Sequence, residues 1–208
     1  MKQSFWSSVC LALGGLLALA AAMGIGRFVY TPILPSMAEG IPLTPSAAGL
    51  IASANFLGYL TGALIGASRF LGGTPRTWFL AGLALSALTS AAMALTSDVW
   101  FFMMIRFISG LASAFVLVFS TTLILERLTT AGHSALSAVH FSGVGIGIAL
   151  SAVLIAALNH NAADWQTLWL ASGLATAILL AGAIVLVPAR SNASPTAPAD
   201  GNRTPEHG

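Results

Sequence analysis

The chain has 208 residues, 57% hydrophobic and only 7% charged, with a formal net charge of +2. A soluble domain carries about 25% charged residues, so this composition belongs to a polytopic membrane protein. So few charges, with no basic cluster, exclude a nucleic-acid partner. The single cysteine, Cys10, cannot form an internal disulfide, and no zinc, EF-hand or phosphate-cradling spacing occurs, so neither metal nor cofactor is expected.

Crossing a hydrocarbon core of ~30 Å takes about 20 apolar helical residues. Six stretches meet that length, at approximately 8–34, 46–68, 77–96, 100–125, 134–158 and 166–188. They predict an all-α membrane bundle over residues 1–188, joined by short loops. Residues 189–208 are rich in Pro, Ser, Ala and Asn, cannot bury a core, and are expected to form a disordered polar tail. A cleavable leader is the competing reading of the first stretch, since Lys2 precedes it and Leu19-Ala20-Ala21-Ala22 looks cleavable. The apolar run continues to Leu34, beyond a signal core, and removal would leave five spans, so a retained span is expected.

Loop charges predict the orientation. With the N-terminus cytoplasmic, Lys2, Arg69, Arg76, Arg127, Arg190 and Arg203 all fall inside, and the outer loops hold only Glu39, Asp98 and Asp164. Both termini are then cytoplasmic. Asn192-Ala193-Ser194 and Asn202-Arg203-Thr204 match the glycosylation pattern only formally on that side.

Close helix packing in lipid needs small residues. The second stretch supplies Gly58, Gly62 and Gly66 at a four-residue spacing, and the fifth supplies Gly143 and Gly147, continuing to Ser151. Tight helix contacts account for both stripes, and the spacing equally suits contacts that let helices slide or rock during transport.

Polar groups inside the spans are the candidate site. Asn55 and Tyr59 share a face of the second helix, Gln166 starts the sixth, and His140 lies in the inner half of the fifth. A membrane histidine either relays protons or hydrogen-bonds a neighbouring helix. Arg27, late in the first helix, and Arg106, early in the fourth, fall at comparable depth about 10 Å from the midplane, each followed by Phe. A charge near the bilayer centre costs at least ~2.5 kcal/mol, so each needs a reason. Snorkelling to the outer interface is one account; facing a cavity is the other. No Asp or Glu lies deep in any span, so the two cations invite an anion, from a solute or from another protein segment.

At this point the chain resembles the N-terminal half of a major facilitator superfamily transporter. Gly24-Ile25-Gly26-Arg27-Phe28 followed by Thr31-Pro32-Ile33-Leu34-Pro35-Ser36-Met37 is similar to the first helix of the YbfB/YjiJ-type group. The stretch from Leu43 to Gly62 resembles the superfamily's second helix, and Arg106-Phe107-Ile108-Ser109-Gly110 its fourth-helix arginine-then-glycine motif. Two departures stand out. Gly66-Ala67-Ser68-Arg69-Phe70-Leu71-Gly72-Gly73-Thr74-Pro75-Arg76 lacks the aspartate usual in that loop, and Ile148 stands where the antiporter motif has proline after Gly147. The resemblance implies six helices arranged as one half, a 3+3 repeat, of a twelve-helix fold, with the tail resembling the start of the linker between halves.

What the resemblance implies for function is transport of a small organic solute by alternating access, and the two arginines add a bias toward anionic solutes. Transport would be proton-linked or passive, in a bacterial inner membrane, with a second six-helix half or a second copy as partner beside solute and lipid. Arg27, Arg106, Asn55, Tyr59 and His140 would bind substrate or couple transport. A truncated, non-transporting membrane partner is the alternative. An intramembrane hydrolase is set aside: Ser142 lies two residues from His140, on another face, and no Gly-x-Ser-Gly arrangement occurs.

Overall fold

The computed structural model describes residues 5–68 and 71–188. Among these, every regular element is helical. Six helices are long and apolar enough to cross a membrane: α1 (Phe5–Gly40), α2 (Pro45–Ala67), α3 (Pro75–Leu95), α4 (Val99–Thr130), α5 (Ser134–His160) and α6 (Trp165–Leu186). The expected segments coincide with these to within a few residues at most ends. The first runs longer at both ends, and the fourth extends a further turn toward Thr130. The expected tail, 189–208, lies outside the described residues, as do Lys2, Arg69, Arg190 and Arg203.

Helix starts follow from local chemistry. Thr44 and Thr74 accept from the amides of Ala47 and Thr77, each with proline at the first helical position. Asp98 caps α4 through Trp100 N and Phe101 N at 2.9 and 3.2 Å. Asp164 caps α6 through Thr167 N at 2.8 Å, and hydrogen bonds from the Thr167 side chain and then its amide hold the exposed carboxylate below the usual range.

The packing repeats itself. α2 lies along α4 and α5 along α1, while α3 packs on α4 and α6 on α1, with α3 and α6 in contact at the back. Helices 1–3 and 4–6 therefore exchange roles. The glycine stripes make both crossings. A side chain at Gly58 would run into the carbonyl of Phe107, and one at Gly62 would lie 2.8 Å from that of Leu111. On the other crossing, Gly143 abuts the carbonyl of Leu16 and Gly147 that of Ala20. Each stripe thus lets two backbones touch at carbonyls four residues apart. Gly66 makes only ordinary contact with Val118, so the close approach is carried by four of the five expected packing glycines.

α1 is central and the most enclosed of the six, whereas α2 and α5 are mostly exposed. Phe56, Leu57, Leu60 and Leu64 of α2 face outward, as do Phe141, Leu150 and Val153 of α5. Both ends of α6 are tied in. At the end bearing the termini, Arg76 Nε donates to Val187 O at 3.3 Å and Arg127 Nη1 to Pro188 O at 3.1 Å. Cations on the carbonyls at a helix C-terminus complement its dipole.

Candidate functional site

α1 is not one continuous α-helix. After Leu19 the bonding slips to i→i−5 over Ala20–Ile25, with Gly26 N on Ala21 O at 2.8 Å and Phe28 N on Met23 O at 3.3 Å. Helical order resumes at Tyr30, where Thr31 N bonds Phe28 O at 3.2 Å, three residues back. That short bond takes the amide that would otherwise serve the Arg27 carbonyl. Pro32 and Pro35 follow, and neither has an amide to give. The break leaves carbonyls at Gly26 and Arg27 in need of donors, which in a membrane must come from a neighbouring helix.

Arg106 supplies them. Its Nη1 donates to Gly26 O at 2.9 Å and its Nη2 to Arg27 O at 2.6 Å. Ser109 Oγ adds a third donor to Gly26 O at 3.2 Å. The Arg106 side chain is 2% exposed and lies over the rings of Tyr30 and Trp169 at 5.4 and 5.9 Å. Its charge is therefore met by carbonyls and ring faces within the bundle. From α2, Asn55 Nδ2 donates to the Arg106 carbonyl at 2.9 Å, which seats the α4 backbone under the same cluster.

Arg27 occupies a different place. Its backbone carbonyl is the Arg106 partner, while its side chain lies over Tyr59, Phe56 and Phe28 at 4.0, 4.8 and 5.5 Å. Such contacts hold a guanidinium in register without consuming an oxyanion. Arg27 Nε is buried and lacks a hydrogen-bond acceptor, and no carboxylate pairs with Arg27 among the described residues. Arg27 is half-buried and Phe56 is 57% exposed, so the box opens at the surface of α2. Of the candidate residues, Arg27, Tyr59, Asn55 and Arg106 come together in one cluster.

His140 is elsewhere. It is fully buried where α5 crosses α1, with Nδ1 against Gly15 and Nε2 at 3.3 Å from Ser120 Oγ of α4. Ser120 gives its one proton to Leu117 O at 2.7 Å, so the bond to His140 is donated by the ring. Nδ1 is buried and has no hydrogen-bond partner. His140 and Asn55 are counterparts in the repeat: each stands three residues before the first glycine of its stripe, against the residue preceding the carbonyl that this glycine touches. Asn-x-x-Gly-x-x-x-Gly and His-x-x-Gly-x-x-x-Gly are visible in the sequence, and aligning the two stripes would have found the relation. Gln166, by contrast, lines a recess of about 450 Å3 with Asp98 and Trp165 at the opposite end from the termini.

A family model described as uncharacterised MFS-type transporter YbfB matches residues 19–206. The chain belongs to this family of membrane transporters. No curated protein matches it. The six spans fit half of the major facilitator fold, and the matching family is one of MFS-type transporters. This MFS-type chain is accordingly an integral membrane protein.

Proposed function

We propose that this MFS-type chain moves a small organic anion by alternating access, with Arg27 as the group that meets the negative charge. The observation carrying this reading is the Arg27 box: a guanidinium held by three rings, with no carboxylate partner among the described residues. A half-buried charge of that kind is stabilised when an anion joins it. Arg106 and Asn55 act as positioning residues, holding the break in α1 that presents Arg27. Tyr59 forms a wall of the box.

His140 is the coupling group of this reading. Its Nδ1, buried at the α1–α5 crossing without a hydrogen-bond partner, is the proton acceptor of this reading. Protonation at the α1–α5 crossing would load that contact with a charge and bias its packing, which links proton binding to helix movement.

The bundle offers one wall of a pathway, so the working unit pairs it with a second six-helix body, another half or another copy, facing α2 and α5 across the solute path. Orientation follows the loop charges, with both termini cytoplasmic in a bacterial inner membrane.

Uptake of labelled benzoate into proteoliposomes tests the proposal. Parent protein should accumulate benzoate and respond to an imposed pH gradient, and Arg27→Gln should reduce uptake to the level of empty vesicles. Equal uptake by parent and Arg27→Gln would sink the assignment of Arg27.

A further inference from the structure

How many positive charges does the site offer a solute? Among the described residues the cations of fixed charge are Arg27, Arg76, Arg106 and Arg127. Arg106 is spent on the carbonyls of Gly26 and Arg27. Arg76 and Arg127 grip the C-terminal carbonyls of α6 at the terminus-bearing end, away from the Arg27 box. Arg27 alone among the four has its charge held by rings rather than by backbone oxygen.

The walls matter as much as the charge. Phe28, Phe56 and Tyr59 lie around the guanidinium, and Phe56 is 57% exposed, so part of its ring is uncovered beside Arg27. A solute whose acidic group reaches the Arg27 N–H groups can lay its remaining atoms along that ring. A hydrated or doubly charged body there would lose water with nothing to replace it. A flat apolar body would gain contact with the ring.

We propose that the site selects a monovalent organic anion, its carboxylate meeting the N–H edge of Arg27 and its apolar or aromatic body lying against Phe56. The proposal rests on the reading of Arg27 as the anion-binding group and adds valence and shape to it. One guanidinium matches one carboxylate in bidentate geometry, and the second charge of a dianion would sit beside aromatic carbon.

The test is ligand-induced thermal stabilisation of the purified full-length chain, titrated with benzoate, acetate, benzamide, terephthalate and inorganic phosphate. Benzoate should bind at least about tenfold more tightly than acetate, benzamide, terephthalate or phosphate, a margin of about 1.4 kcal/mol. Phe56→Ala should weaken benzoate about tenfold and leave acetate unchanged, and Phe56→Leu should fall between, since it keeps apolar bulk without the ring. Terephthalate or phosphate binding as tightly as benzoate would overturn the valence. Phe56→Ala weakening acetate and benzoate alike would overturn the body contact. Both results leave Arg27 as an anion site. Benzamide matching benzoate, unchanged benzoate binding in Arg27→Gln, or no stabilisation by any anion would remove the anion reading itself, and the proposal with it.

Discussion

Arg106 donates to the backbone carbonyl of Arg27 at 2.6 Å, so the two membrane arginines meet through the side chain of one and the main chain of the other. One arginine holds the helix from which the second projects. Their roles should therefore separate in stability measurements. Arg106→Ala leaves the Arg27 carbonyl without its donor and Gly26 O with Ser109 Oγ alone, at ~1–3 kcal/mol for a group left unsatisfied. Arg27→Ala removes contacts with rings, worth about 0.5–1 kcal/mol at a partly exposed site. Thermal unfolding in detergent should show a much larger loss for Arg106→Ala than for Arg27→Ala. Equal losses would contradict the division.

The glycine stripes give a second prediction. Gly58→Ala and Gly143→Ala each push a methyl group into a neighbouring carbonyl, an overpacking that costs about 1–3 kcal/mol. Gly145, between the two contact glycines of α5, has open space where its side chain would be. Gly145→Ala should be neutral or gain up to about 1 kcal/mol from helix propensity. Unfolding midpoints of the three variants check this directly.

His140→Asn places at the α1–α5 crossing the residue type that its counterpart Asn55 provides at the α2–α4 crossing. The amide has donor capacity for Ser120 but takes no proton near neutral pH. The variant should fold, and its uptake should lose the response to a pH gradient while some downhill flux remains. A pH profile identical to the parent's would exclude His140 as the coupling group.

The α6 cap predicts a pH effect on stability alone. The Asp164 carboxylate is held below its usual range by Thr167, so the cap's contribution is complete above the unfolded value, about 3.9. It is lost as pH falls through the lower folded value. The stability gap between parent and Asp164→Ala should be constant at neutral pH and close below about pH 4. A gap that stays constant into acid would argue against the cap.

Much of the architecture was legible because it depends on counting. Apolar length gives six spans, and Gly58, Gly62, Gly143 and Gly147 mark the two crossings by spacing alone. The site was legible only as a set of residues. Arg27-Phe28 and Arg106-Phe107 look alike in sequence, and together they invite an anion from a solute or from another protein segment. What distinguishes them is the break in α1, which exposes carbonyls to Arg106 and turns the Arg27 side chain toward Tyr59 and Phe56. Pro32 and Pro35 signal that a helix there is strained. They do not say which neighbour will satisfy the freed carbonyls, because that depends on how α4 is seated by Asn55 and Gly110 of the α2–α4 crossing. Ser120 was missed as the His140 partner for the same reason, being twenty residues away on another helix.

Equilibrium dialysis of labelled benzoate against purified parent and Arg27→Gln at matched thermal stability tests Arg27 as the anion-binding group. Saturable binding to the parent is expected, with at least about tenfold weaker binding to the variant, the effect of removing a charge-assisted contact. Equal dissociation constants for the two proteins would contradict it.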